Sequence, residues 1–290
     1  MGDEINILRC PACHTSLANS VEHACGSCGF KITVINKIPL LVRDRIAIES
    51  QIDKAHSDGL GDWYESPQAD IWQGPYRHHM RKRRAYLDRV LGAHGRFQSG
   101  LDLGCGDGVN LKWLSVYVET IYGSDYNLLR LGRAAHFHPT ATVFMADVTD
   151  YPAKEASFDL IFFNHVLEHI PDDDKALSEV FRILKPGGLL ILGIPNEGAF
   201  FWQLAYTLQP SVRRATDHIH FYTSQSIRAK CINAGFKIRE VYPVGWGVPH
   251  WGLDQKIRGN KWIDDLLETT GRAFLPSQAT SLFIIAERLP

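Results

Sequence analysis

The chain predicts an α/β protein: a doubly wound, mostly parallel sheet with a small metal-binding ribbon at its N-terminus. Three observations carry that prediction. From residue 99 onward, short apolar runs alternate with helical patterns, the order that builds parallel sheets. The first of those runs ends in a glycine-rich turn, Gly104-Cys-Gly-Asp-Gly108, which opens into a helix. Four of the six cysteines crowd into the first 28 residues.

Composition sets the frame. A length of 290 residues suits one large α/β domain plus an appendage. Hydrophobic residues at 45% supply a sizeable core and exclude a disordered chain. Lys+Arg 31 against Asp+Glu 32 leaves a net charge of −1, so no global positive field draws the chain to nucleic acid or an anionic membrane. The opening MGDEINILRC has neither a basic n-region nor a long apolar run, so it does not read as a signal peptide. The most apolar stretch, Gly188 to Ile194, is too short to span a bilayer. These features point to the cytoplasm, where thiols stay reduced; the cysteines then serve metal or packing rather than disulfides.

The N-terminal segment, residues 1–42, holds two knuckles, Cys10-Pro-Ala-Cys13 and Cys25-Gly-Ser-Cys28. A two-residue spacer lets a tight turn aim both sulfurs at one cation. Two knuckles supply the four thiolates that tetrahedral zinc prefers. Gly26 and Gly29 permit the positive φ such turns need. A thioredoxin-like dithiol would need a βαβ context that is absent around these cysteines. With so little core of its own, the segment is expected to fold only with metal. Phe30 to Val42 then reads as strand, turn and short strand. Over residues 7–42 the pattern of knuckles followed by Ile38-Pro-Leu-Leu-Val42 resembles the zinc ribbon of tRNA-methyltransferase activator subunits, also fused to some methyltransferases.

Residues 43–98 read as a helical linker or cap. Ala47 to His56 is helical and Gly59-Leu-Gly61 breaks it. Tyr76 to His94 forms a second helix, with apolar positions at Tyr86, Leu87, Val90 and Leu91. Its run of Arg77, His78, His79, Arg81, Lys82, Arg83 and Arg84 reads as a solvated face, or alternatively as a contact for an anionic molecule. Trp63, Tyr64, Trp72 and Tyr76 precede it, as ligand cover or as packing.

Residues 99–290 carry the chemistry. The first strand ends in Asp102-x-Gly104-x-Gly106-x-Gly108, which differs from the GxGxxG of dinucleotide sites, so no pyrophosphate is cradled. The glycines let backbone approach a ligand with an amino-acid tail, and Asp102 sits where it attracts an ammonium group. A helix follows from Val109 to Ser115. The next strand, Glu119 to Asp125, ends in a carboxylate suited to both hydroxyls of a ribose without a 2′-phosphate. The third, Ala141 to Asp147, ends in a third acidic tip, so all three converge on the crevice where open α/β sheets bind ligands. Ser157 to Phe163 forms strand four and runs into Asn164-His-Val-Leu-Glu-His169. Pro171-Asp-Asp-Asp174 opens a helix through Leu184, its aspartates complementing the helix dipole. Lys185-Pro-Gly-Gly188 leads into strand five, Leu189 to Ile194.

The segment Leu101-Asp-Leu-Gly-Cys-Gly-Asp-Gly108 resembles the first motif of class I S-adenosylmethionine-dependent methyltransferases. Phe158-Asp-Leu-Ile161, His165-Val-Leu-Glu-His-Ile-Pro-Asp172 and Leu184-Lys-Pro-Gly-Gly188 extend that resemblance over about residues 99–240. It implies a Rossmann-like sheet of seven strands and S-adenosylmethionine as cofactor. It further implies a cofactor site drawn from Asp102, Gly104, Cys105, Gly106, Gly108, Asn110, Asp125, Tyr126, Asp147, Val148, Asn164 and His165. In that family the residue matching Asp147 accepts from the adenine amino group, the backbone of its neighbour meets the ring, and Cys105 is a small cofactor-facing residue rather than a nucleophile.

Methyl transfer from a sulfonium asks the protein to align the acceptor, keep the site dry and remove a proton where the acceptor needs it. His165, His169 and His218 are the candidate bases. A metal-assisted subset of the family carries a glutamate where this chain has His165, so no catalytic metal is expected. His218, in Thr216-Asp-His-Ile-His-Phe-Tyr-Thr223, is the first choice, with Asp217 to orient an imidazole; alternatively Asp217 and His218 cap or brace the following helix. Helix Ser224 to Ala234 and strand Gly235 to Val241 follow. The last strand, Thr280 to Ala286, is expected to insert antiparallel, as in the family. Residues 243–279, with Trp246, His250, Trp251 and Trp262, form an insertion that lids the acceptor site or packs on the body. The acceptor reads as a small molecule, glycan or carrier-linked group. The alternative is RNA, suggested by the ribbon and the basic helix, although strand four lacks the [DN]PPY of base-amino methyltransferases. Oligomeric state is left open.

Overall fold

The structure, a computed structural model, describes residues 6–17, 24–43, 66–67, 73–214 and 216–290. The predicted helix at 47–56, its glycine break, and Trp63, Tyr64 and Trp72 lie outside those residues. Among the described residues one sheet contains nine strands: β1 (Thr33–Ile35), β2 (Ile38–Leu41), β3 (Phe97–Leu103), β4 (Val118–Asp125), β5 (Thr142–Ala146), β6 (Phe158–Asn164), β7 (Leu184–Pro195), β8 (Lys237–Val244) and β9 (Ser281–Glu287). Their order is β1-β2-β5-β4-β3-β6-β7-β9-β8. From β2 to β7 neighbours are parallel; β9 runs antiparallel to both β7 and β8, as predicted.

The seven predicted strands are β3 to β9. The N-terminal segment extends them to nine, because the β1–β2 hairpin adds to the open edge of β5 in parallel register, Leu40 opposite Met145 and Leu41 opposite Ala146. Asn36 and Lys37 turn that hairpin at φ 51° and 69°, the left-handed pair a two-residue turn requires.

Central strands are apolar on both faces, as a sheet covered on both sides demands. Side chains alternate between two cores. Phe162 joins one, with Leu87 and Leu91 of α1 (Arg77–Gly92), Leu111 and Leu114 of α2 (Leu111–Leu114), and Leu131 of α3 (Leu128–Phe137). Ile161 and Phe163 join the other, with Leu177 and Val180 of α4 (Asp173–Ile183). After two short helices, α5 (Phe200–Leu208) and α6 (Pro210–Arg214), helix α7 (Ser224–Asn233) adds Ile227 and Cys231 to that second core. Leu8, Cys10, Leu17 and Cys25 of the ribbon belong to it too, so the ribbon shares a core with the main body rather than making its own.

The insertion forms α8 (Trp251–Arg258) and α9 (Lys261–Phe274). Trp246 is buried, with its indole N–H donating to the Leu275 carbonyl at 2.8 Å, while Trp262 is 85% exposed. The insertion also settles the basic run of α1. Lys82 pairs with Asp264 at 2.6 Å, Arg77 donates to the Gly259 carbonyl at 2.6 Å, Arg84 pairs with Asp88, and His79 and Arg83 are buried. The run is therefore mostly a packing face, not the predicted solvated one. Among the described residues no helix is long and apolar enough to cross a membrane.

Candidate active site

The crevice lies at the carboxyl ends of β3, β4 and β5. The glycine turn is pinned to the end of β4: Gly104 and Cys105 N–H groups both donate to the Ser124 carbonyl, at 2.8 and 2.9 Å. Asp125 closes the clamp, accepting from Gly106 N–H and Asn127 N–H at 2.9 Å each. Gly104 has φ 75°, and a methyl group there would collide with Val166; only glycine meets both conditions.

Asp102 is 1% exposed and its Oδ2 has no hydrogen-bond partner. Burial, with Asp125 nearby, pushes its carboxyl up to about 8, against a bond from Asn110 that favours the anion. An orphaned buried carboxylate oxygen beside the glycine turn fits an ammonium ligand. Asn110 also accepts from the Trp113 indole at 3.0 Å. Tyr126 is half-buried at the start of the loop after β4. Asp147, at the tip of β5, is exposed and uses Oδ1 to accept from the Thr149 N–H and hydroxyl, both at 2.8 Å. Val148 opens a single 3-10 turn, Val148–Asp150.

Cys105 departs from the cofactor-facing placement. It is 2% exposed and packs in the apolar core around Leu111, so only its backbone borders the crevice. Burial drives its thiol well above the usual range, which also removes it as a nucleophile.

Beyond β6 the backbone turns sharply. His165 holds φ 54°, a left-handed value that a non-glycine residue adopts at a cost, and its N–H donates to the Gly193 carbonyl at 2.8 Å. Buried Arg83 reaches this tip, bonding Asn164 Oδ1 at 3.1 Å and meeting His165 Nε2 at 3.0 Å. Nδ1 of His165 faces Glu168 at 3.3 Å. Burial and the Arg83 charge lower the His165 pKa, against the pull of Glu168.

The three candidate histidines come together around Glu168, but not with the predicted partners. Asp217 pairs with His169 at 2.9 Å rather than with His218. His218 Nδ1 is held by both carboxylate oxygens of Glu197 at 2.8 Å, and the Tyr206 hydroxyl braces the same carboxylate. Helix α7 is capped by a reciprocal Thr223–Ser226 box, so neither Asp217 nor His218 caps it. The His169 and His218 rings meet edge to face at 4.7 Å. Burial disfavours the charged form of His169, but Asp217 and Glu168 outweigh it and raise its pKa. Glu168, fully buried, is held below the usual carboxylate value by His165 and His169 despite its burial. Glu168, His169 and His218 each place a ligand atom within 4.8 Å of the others, a set that can hold a cation although His165 replaces the glutamate of the metal-assisted subset.

Sequence reasoning missed Glu197 and Tyr206. Glu197 follows β7 in Pro195-Asn-Glu, with no spacing that announces a partner twenty-one residues on. Arg83 was visible only as one member of a basic run.

In the ribbon, Cys10, Cys13, Cys25 and Cys28 are free thiols whose sulfurs lie within 4.8 Å of one another. Cys10 and Cys28 sulfurs are 3.8 Å apart, Cys13 and Cys25 3.6 Å. A tetrahedron of sulfurs about 2.3 Å from zinc has edges of about 3.8 Å. The two knuckles repeat one design: His14 N–H donates to Cys10 O and Gly29 N–H to Cys25 O, each at 2.9 Å, with His14 and Gly29 at φ 62° and 73°. Gly29 thus takes the predicted conformation, while His14 takes it in the first knuckle.

Comparison with known proteins decides the family. Residues 76–241 match the family model described as a methyltransferase domain. The chain belongs to that family. Its class I domain is the S-adenosylmethionine-dependent kind, and four free cysteines at its N-terminus are consistent with a zinc site. The methyltransferase is 26% identical over 164 residues to a probable S-adenosylmethionine-dependent methyltransferase of Mycolicibacterium smegmatis, covering 55% of this chain and 60% of that protein. It is 23% identical over 181 residues to a ubiquinone biosynthesis O-methyltransferase of Pseudomonas putida, covering 58% and 78%. The N-methyltransferase NodS of Bradyrhizobium japonicum, solved with S-adenosyl-L-homocysteine, shares the fold with a TM-score of 0.52 at 17% identity, covering 75% and 90%. The chain spans 36% to 60% of the length of four of the curated relatives it matches.

Proposed function

We propose that this chain transfers the methyl group of S-adenosylmethionine to a small-molecule, glycan or carrier-linked acceptor, with His218 as the base. The observation that carries this reading is the His218–Glu197 pair beside the tips of β6 and β7. A carboxylate on Nδ1 fixes the tautomer and leaves Nε2 as the proton acceptor. The name of one relative supports the acceptor class, since that protein is a ubiquinone biosynthesis O-methyltransferase. The near-neutral charge and the pinned basic helix argue in the same direction and weaken the RNA alternative.

S-adenosylmethionine supplies a methyl group on a leaving sulfonium. Asp102 binds the ammonium end, Asp125 the ribose hydroxyls, and Asp147 with Val148 the adenine; Asn110, Tyr126, Asn164 and His165 line the rest. His218 takes the proton that the acceptor loses as its lone pair forms the new bond to carbon. Glu197 stabilises the imidazolium that results. His169, held by Asp217, is biased toward its charged form beside the acceptor. The four cysteines hold one zinc.

The test is methyl-label transfer into fractionated extract with wild-type chain, His218→Ala and Glu197→Gln. Label in small, lipid or glycan fractions that falls about 100-fold in His218→Ala supports the reading, the size expected of a lost general base. Ribonuclease-sensitive label in large material, or an unchanged His218→Ala rate, overturns it. The Glu168, His169 and His218 cluster favours a second reading, in which a divalent cation polarises the acceptor oxygen. Loss of activity on brief chelation, with ribbon zinc retained and magnesium or manganese restoring it, selects that reading instead.

A further inference from the structure

The 3-10 turn Val148–Asp150, which carries the proposed adenine contact, is built on the ribbon. Its chain enters from β5, whose last residue, Ala146, pairs with Leu41 of β2. It leaves through Tyr151 to Lys154, which the ribbon also holds: Arg9 N–H donates to Pro152 O at 2.9 Å, Lys154 N–H to Ile7 O at 2.8 Å, and Leu8 bridges Ala153. Between these two seams two ribbon side chains and Arg43, the residue after the ribbon, converge on Asp150: Arg9 at 3.5 Å, His14 at 3.2 Å and Arg43 at 3.5 Å. Arg9 immediately precedes Cys10 and His14 immediately follows Cys13. Arg43 donates to the Pro11 carbonyl at 3.2 Å, inside the same knuckle. Every side chain gripping Asp150 is thus positioned by the Cys10–Cys13 knuckle. Arg43 and His14 are partly solvated and contribute little each. Arg9 is the buried member, its side chain 13% exposed, and it also donates to the Tyr151 carbonyl at 3.1 Å and to Glu179 at 3.3 Å.

We propose that metal in the ribbon and cofactor in the crevice are thermodynamically coupled through the Arg9–Asp150 contact, so that zinc tightens S-adenosylmethionine binding and the cofactor in turn retains zinc. Asp150 and Arg9 act as positioning residues for the adenine turn; neither touches the cofactor. A coupling free energy is reciprocal, so each ligand changes the other's affinity by the same factor. This inference rests on the proposed adenine site at Asp147 and Val148.

Zinc extraction by a chromogenic chelator and S-adenosyl-L-homocysteine binding by calorimetry test it on the full chain. In the wild type, saturating S-adenosyl-L-homocysteine is expected to slow zinc extraction about five- to twenty-fold, within the usual range of allosteric coupling. Arg9→Met and Asp150→Asn are expected to keep one zinc per chain, to bind S-adenosyl-L-homocysteine about five- to tenfold more weakly, and to lose its effect on extraction; because these variants retain zinc and fold, general stabilisation by ligand predicts instead that the effect persists. Extraction equally slowed in Asp150→Asn and wild type, or unslowed in wild type, overturns the coupling. Asp147→Asn separates the two claims. If it binds like wild type, the adenine assignment fails; if it binds weakly while Asp150→Asn and Arg9→Met bind normally, the coupling alone fails. Should a variant not fold, hydrogen exchange of residues 148–151 in the wild type with and without zinc decides: unchanged protection overturns the proposal.

Discussion

Asp102 shows how one side chain ties burial to ligand chemistry. Its carboxyl, pushed up to about 8 by burial and by Asp125, is protonated at neutral pH in the cofactor-free protein. Binding an ammonium group demands the carboxylate. Cofactor binding at pH 7 is therefore expected to release close to one proton, dwindling toward none above pH 9. Calorimetry in two buffers of different ionisation enthalpy reads this directly, and Asp102→Asn should abolish it. The same shift has a sign for stability. A value raised above that of the unfolded chain means the contribution is fully present below about pH 4 and is lost as pH rises through about 8. Measured relative to the Asp102→Asn variant, the cofactor-free wild type should lose stability across that window. The sequence placed Asp102 correctly at a strand tip, because the motif around it is local. It did not reveal the orphaned Oδ2, which depends on what the fold puts around the side chain.

Among elements, the turn from β3 to α2 is the one where local sequence and tertiary packing make the same demand. Gly104 needs a positive φ, and Val166, sixty-two residues away, fills the place a side chain would take. Gly104→Ala is expected to cost about 1–3 kcal/mol in stability, the range for strain at a special backbone position, and to weaken cofactor binding as well. Denaturant unfolding and calorimetry check the two effects separately. Glycine spacing made this turn legible; Val166 as its partner was not, because strand order alone brings β6 beside β3. The histidine cluster failed differently. Its members were visible as residue types, but Glu197, which no sequence pattern announced, holds His218 in place of the adjacent Asp217. Asp217 is adjacent to His218, yet neighbouring residues in extended chain point to opposite faces, so it serves His169 instead.

At the scale of the whole molecule, the ribbon is a structural edge of the methyltransferase. It lends two strands to the sheet, and Leu8, Cys10, Leu17, Cys25 and Leu41 to a common core. Chelation of zinc is therefore expected to lower the melting temperature of the entire protein in one cooperative transition, rather than to add a separate low-temperature unfolding of the N-terminus. Calorimetric scans with and without chelator distinguish the two. The insertion likewise joins the body, since Lys82 of α1 pairs with Asp264 of α9 and Arg77 donates to the Gly259 carbonyl between α8 and α9.

Sequence by itself determined the doubly wound order, the glycine turn, the three acidic strand tips and the two cysteine knuckles. Each is written in a run of fewer than about twenty residues, where periodicity, turn chemistry and ligand spacing act locally. Only the tertiary structure decided where the ribbon docks, which carboxylate holds which histidine, and that Arg83 is buried rather than solvated. Those outcomes depend on contacts between residues about 20 to 180 positions apart, and their free energies come from shared burial that no local pattern encodes.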